Sequence, residues 1–101
     1  MKLPKHVNIY GAKYKIKTVK NCSIQGVPLY GYCDSQSKII VLAQEILQDK
    51  TLTKEVLIHE MGHALMDRMG VRLTQFPPEL EEIVVQSIAV MMLENFEIKP
   101  S

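Results

Sequence analysis

Hydrophobic and polar positions change rhythm once along the chain. In the first part they alternate: Lys13, Lys15 and Lys17 interleave with Tyr14, Ile16 and Thr18, the period-two signature of a strand with one wet face. Strands are predicted at Val7–Tyr10 and Tyr14–Val19 around a turn at Gly11-Ala12-Lys13, with the alternating lysines shielding a sheet edge. A loop through Asn21 to Pro28 follows. Two more strands are predicted at Tyr30–Cys33 and Lys38–Leu42, joined across the small polar run Asp34-Ser35-Gln36-Ser37. Ala43–Gln48 reads as a short helix or irregular turn.

From Thr53 the period becomes helical. Val56, Leu57, Met61, Ala64, Leu65 and Met69 form an apolar stripe, Asp49 to Thr53 offers N-cap candidates, and Gly70 is placed to stop the helix. The chain then loops to Pro77-Pro78, which forbid helix continuation. A second helix is predicted over Glu79–Phe96. It is apolar almost all the way round, from Leu80, Ile83, Val84 and Val85 to Ile88, Val90, Met91, Met92 and Leu93, so it is expected to be largely buried. The order β, β, β, β, α, α predicts an α+β fold, a small and mainly antiparallel sheet packed against two helices. A single domain is expected over residues 1–101: 1–50 mainly β, 51–70 the first helix and 79–96 the second.

Composition narrows the class. With 47% hydrophobic and 23% charged residues the chain is an ordinary globular sequence, and a formal net charge of +1 gives no general attraction to nucleic acid. Met1–Tyr10 has two lysines, a proline and no apolar core segment, and no apolar run is long enough to span a bilayer. A cytoplasmic protein with no membrane partner is therefore expected. Cys22 and Cys33 are then free thiols, although a bridge between them stays open at this level. The methionines are expected to fill gaps between the helices.

The first helix carries the chemistry. His59-Glu60-Met61-Gly62-His63 is an HExxH sequence, and on a helix positions i and i+4 lie about 40° apart around the axis and roughly 6 Å apart along it, so both imidazoles reach one ion. Glu60 projects beside that ion, where a carboxylate can take a proton from a water that the ion holds. This division nominates Zn2+ bound by His59 and His63, with Glu60 as the catalytic base.

A catalytic zinc takes three protein ligands, and two are supplied. His6 lies in a lysine-rich segment and is expected to be solvated; Cys22 and Cys33 lack ligand spacing. The second helix is the better source. Glu82 and Gln86, one turn apart, form a polar stripe on an otherwise apolar helix, and a buried carboxylate needs a counter-charge. Glu82 is the candidate ligand, Glu81 the alternative, and Glu79 belongs to the first turn, where acids favour the helix dipole. One of Tyr10, Tyr14, Tyr30 and Tyr32 could stabilise an oxyanion, though packing in the core or at its rim is the simpler role for each.

The helix pair resembles the zinc peptidase-like gluzincins of the ImmA/IrrE type and the small phage and prophage HExxH proteins related to them. In those families the HExxH helix is followed by a second helix whose glutamate completes the site, ahead of a pattern similar to Ala-Asn-x-Phe-Ala-x-x-Leu-Leu. The comparable run is Val85-Gln86-Ser87-Ile88-Ala89-Val90-Met91-Met92-Leu93, with Gln86 and Ile88 in place of the family's Asn and Phe. Read back from Ala89, the resemblance implies Glu82 as the metal glutamate. Gly31–Asp34 and Lys38–Leu42 are similar to the strand pair ahead of the active-site helix. The resemblance, covering roughly residues 31 to 95, implies a minimal zincin-like domain that hydrolyses a peptide or protein substrate. The alternative it implies is a phage or mobile-element regulatory or binding protein that keeps zinc but catalyses little.

Overall fold

The computed structural model describes residues 2–70 and 77–95. Strands β1 (His6–Ile9) and β2 (Ala12–Val19) form a hairpin that pairs Val7 with Tyr14 and Ile9 with Ala12. Its two-residue turn puts Tyr10 at φ 48° and Gly11 at φ 83°, the backbone twist that antiparallel strands accept best. Within the segment expected to be a loop, β3 (Ser23–Ile24) and β4 (Val27–Pro28) make a second miniature hairpin around Gln25-Gly26. Strands β5 (Gly31–Asp34) and β6 (Ile39–Ala43) form a third, with Cys33 opposite Ile40.

The main sheet has the order β1-β2-β6-β5. Two of its three pairings are antiparallel, as expected, but β2 and β6 run parallel, with Ile16 beside Ile40 and Thr18 beside Leu42. Alternation shows which face of a strand is wet and says nothing about the direction of its neighbour, so this seam is not readable from the pattern. It corrects one expectation. β2 has a neighbour on each side, so Lys13, Lys15 and Lys17 do not shield an edge; they stand on the open face of an interior strand.

The opposite face is the core. Tyr14, Ile40 and Leu42 are fully buried, and Val56, Leu57 and Ala64 of helix α1 (Lys50–Arg68) pack within the same apolar cluster. A 3₁₀ turn at Gln44–Ile46 leads into α1. The helix begins three residues before the predicted Thr53 because Asp49 caps it, its carboxylate accepting from Leu52 N–H at 3.0 Å. Thr53 sits one turn inside, fully buried, its hydroxyl 2.8 Å from the carbonyls of both Ile46 and Asp49. At the other end Gly70 adopts φ 75° and its N–H bonds to the Asp67 carbonyl, the expected stop.

Helix α2 (Pro78–Asn95) packs chiefly on α1. The expectation that it is largely buried is wrong: Ile83 is 62% exposed and Met91 50%, and only Glu81, Val85 and Ala89 are buried. A helix that rests on one other helix covers a single stripe, here spaced i, i+4, i+8, however apolar the rest of its circumference. Residues 71–76 of the expected loop and the predicted helix end at Phe96 lie outside the described residues. Cys22 and Cys33 are both free thiols, and burial pushes the Cys22 thiol up from its ordinary pKa, with the charges of Glu45 and Glu60 adding to the effect. Among the described residues no helix is long and apolar enough to cross a membrane.

Candidate metal centre

The α1–α2 contact depends on Gly62, at the fourth position of the HExxH run. A Cβ built on Gly62 would stand 2.9 Å from Cγ1 of Val85, closer than real side chains approach. The missing methyl lets the two helices meet at this point, and the residues on either side of the contact then come within reach of one another.

His59 and His63 turn their Nε2 atoms toward one point, 3.2 Å apart. The Glu82 carboxylate completes the triangle, with Oε1 at 2.9 Å from His63 Nε2 and Oε2 at 3.2 Å from His59 Nε2. Ligand atoms of these three side chains all lie within 4.8 Å of one another. The outer nitrogens are also engaged. His63 Nδ1–H donates to Glu81 Oε2 at 2.7 Å, and His59 Nδ1–H donates to Gln86 Oε1 at 2.7 Å. Because both acceptors fix the proton on Nδ1, both Nε2 lone pairs are directed at the convergence point.

That arrangement tests the fit of a cation directly. Two imidazole lone pairs and a carboxylate facing each other at about 3 Å repel unless positive charge, as protons or a metal ion, sits among them. A tetrahedral ion with bonds of about 2.0–2.1 Å holds its ligand atoms roughly 3.3 Å apart, close to the spacing found. The donor set therefore suits a metal ion. The backing of both histidines by a carboxylate and an amide is the usual way such rings are held in tautomer and orientation.

Glu81 and Glu82, alternatives on sequence grounds, occupy different positions. Glu82 faces both Nε2 atoms with 59% of its side chain exposed; Glu81, 9% exposed, lies behind His63. The argument from burial thus described Glu81, while the residue facing the convergence point is the solvated one. Gln86, singled out in sequence only as a polar neighbour of Glu82, supports His59. Its one-turn spacing from Glu82 was the available signal, and only the helix crossing shows which histidine it serves.

Glu60 is buried, and it lines a cavity of about 190 Å³ with His59, Gln86, Glu55, Val56, Tyr30 and Gly31. Burial pushes its carboxyl up to about 7; the neighbouring His59 opposes the shift and the negative Glu82 adds to it. A carboxyl poised there can exchange a proton near neutral pH. Gly31 allows the sheet to close on this cavity, since a Cβ there would meet the Val41 carbonyl oxygen at 2.7 Å and Val56 Cγ1 at 3.0 Å. Of the four tyrosines, Tyr30 alone is on the cavity wall, whereas Tyr14 is in the core. His6 is exposed among the lysines of the outer sheet face, Glu79 is exposed in the first turn of α2, and Cys22 and Cys33 are not part of the cluster. Compared with protein-family models, curated proteins and solved structures, the chain finds no match, so these residues are interpreted by their geometry and chemistry alone.

Proposed function

We propose that the chain is a zinc-dependent metallopeptidase-like hydrolase of minimal zincin type, acting in the cytoplasm on a peptide or protein substrate. One observation carries the reading: His59, His63 and Glu82 converge on a single point, with the buried and unligated Glu60 beside it. A site used only to hold a structural ion has no need of a buried base next to it.

In this reading His59 Nε2, His63 Nε2 and a Glu82 oxygen hold the ion, and Glu81 and Gln86 keep both rings in the correct tautomer. Zinc, when bound, would supply Lewis acidity and lower the pKa of water at its open position. Glu60 accepts the proton from the attacking water on its carboxylate and returns it to the leaving amine. Tyr30, on the cavity wall, is the candidate donor to the oxyanion that develops on the carbonyl. The outer strand β5, which begins at Gly31 on the same cavity wall, offers backbone groups to an extended peptide.

The test is metal analysis of the purified protein followed by digestion of a proteome-derived peptide library, with cleavage sites read by mass spectrometry. The zinc-loaded protein is expected to cut peptides and the Glu60→Gln protein, equally loaded, to leave them intact. Folded protein that takes up no zinc on reconstitution refutes the reading, and so does cleavage that survives Glu60→Gln.

A further inference from the structure

We infer that the outer face of the sheet is a binding surface for the phosphate backbone of a nucleic-acid duplex. Five lysines, Lys5, Lys13, Lys15, Lys17 and Lys38, together with His6, surround a shallow concavity of about 410 Å³ that no acidic side chain lines. All six are exposed. The chain as a whole has 12 Lys and Arg against 11 Asp and Glu, so its net charge of +1 conceals a separation of charge. Glu55, Glu60, Glu81 and Glu82 are on the helices, where Lys50, Lys54 and Arg68 accompany them, whereas five lysines and no acid surround the concavity on the far side of the sheet.

The ordinary explanation for lysines on a strand does not apply to this one. Lysine guards an exposed edge, and β2 is paired on both sides. Three alternate lysines on an interior strand also occupy positions where β-branched or aromatic residues serve a sheet better. His6 stands directly opposite Lys15, a placement that costs stability whenever both are charged. Among the described residues no ion pair involves any of these lysines. Asp34, the acid on the same face, is a strand further away, opposite Ile39, and its carboxylate accepts from the Ser37 N–H. A bound polyanion would relieve this concentration of like charge.

The form of the surface selects the partner. Ammonium groups are point charges that meet phosphate without reading bases, so recognition would be independent of sequence. No Phe, Tyr or Trp side chain lines the concavity to make a stacking platform for unpaired bases, which favours a duplex over a single strand. None of the exposed large hydrophobic residues lines it either, so the face lacks the apolar groups with which a protein enters a lipid surface. The surface is separated from the metal centre by the sheet, and the two can be tested independently.

The experiment is fluorescence anisotropy of a labelled 20-base-pair DNA duplex of arbitrary sequence, titrated with the full chain at 50 and 200 mM KCl. Binding in the micromolar range is expected at the lower salt, with log K falling against log salt at a slope of about −3.6 to −4.5, as four or five phosphate contacts imply. The Lys13→Glu/Lys15→Glu/Lys17→Glu protein should bind at least about tenfold more weakly at 50 mM KCl while keeping its circular dichroism spectrum and zinc content. Should that variant fail to fold, Lys15→Gln/Lys17→Gln removes two of the charges without reversing them, and its slope should be shallower by about 1.8. No binding at 50 mM KCl with protein at about 100 μM, unchanged binding by the charge variants, or binding of phosphatidylserine vesicles in preference to the duplex would each overturn the inference.

Discussion

Gly62 of α1 and Val85 of α2 meet so closely that a single added methyl would overlap, Cβ to Cγ1 at 2.9 Å. Valine in a helix has one strongly preferred rotamer and cannot swing aside, so the helices themselves must part. Gly62→Ala should raise the intrinsic helix propensity of α1 by about 1 kcal/mol, yet lower metal affinity by more than about tenfold as Glu82 is carried away from the histidines. Val85→Ala in the same chain should restore most of the affinity. Competition with a chromophoric chelator measures both, and if the single variant binds zinc like the wild type, the helix contact does not position the site.

The two neighbouring glutamates should separate on the same assay. Glu82→Gln removes a charged ligand and is expected to weaken zinc binding by well over about tenfold, whereas Glu81→Gln keeps an oxygen able to accept from His63 and should cost less. Glu81→Leu, which leaves His63 Nδ1–H without its acceptor, should fall in the range of about 10–100-fold. Zinc removal by a chelator should lower the wild-type melting temperature and leave His63→Ala unaffected, since only the folded, ligating state gains from the ion. A larger loss in Glu81→Gln than in Glu82→Gln would reverse the assignment.

Glu60 offers a test by pH. Its carboxyl is raised from 4.5 to about 7 in the folded chain. Between those values the folded state holds a proton that the unfolded state has released, so stability is greatest below the unfolded pKa and declines as pH rises through 7. At about 1.4 kcal/mol per unit the loss is at most about 3.5 kcal/mol. Metal-stripped wild type should therefore lose melting temperature between pH 4.5 and 7.5 relative to Glu60→Gln, whose amide does not titrate. Parallel melting curves for the two proteins across that range would remove the proton from Glu60.

Thr53 anchors the start of α1 through a hydroxyl shared by the Ile46 and Asp49 carbonyls. Thr53→Val keeps the shape and removes the hydroxyl's hydrogen bonds, while the Ile46 and Asp49 carbonyls keep their backbone donors, Asp49 N–H and Thr53 N–H, so the expected cost is about 0.5–1.5 kcal/mol. Urea unfolding should show a lower midpoint with an unchanged slope. An unaltered midpoint would mean that water replaces the hydroxyl.

What could be read in the sequence was local. Period-two and helical spacing located the four strands of the main sheet and the start of both helices to within a few residues, and Gly70 marked the end of α1, because each depends on neighbours along the chain, whereas the β3–β4 hairpin falls in a segment that reads as loop. The parallel β2–β6 seam depends on residues more than twenty positions apart, and nothing in either strand encodes it. The exposure of α2 was misjudged for a related reason: composition records how apolar a helix is, whereas burial depends on how many elements surround it. At the candidate metal centre, one-turn spacing brought His59 and His63 together on paper. The allocation of Glu81, Glu82 and Gln86 needed the crossing at Gly62, a glycine with no special backbone signature.

The parallel seam also bears on how the chain folds. The β1–β2 and β5–β6 pairs are each closed by short turns, and α1 follows almost directly, so these units can form from nearby residues. Joining β2 to β6 requires the whole intervening stretch, with the β3–β4 hairpin inside it, to be drawn into a loop before any seam contact repays the lost entropy. Shortening the side chains that meet across the seam, with Ile16→Val or Ile40→Val, should then mainly slow refolding and change the unfolding rate little. In stopped-flow traces this gives the seam the part of a latch, the last large piece of the sheet to close and the step that sets the rate.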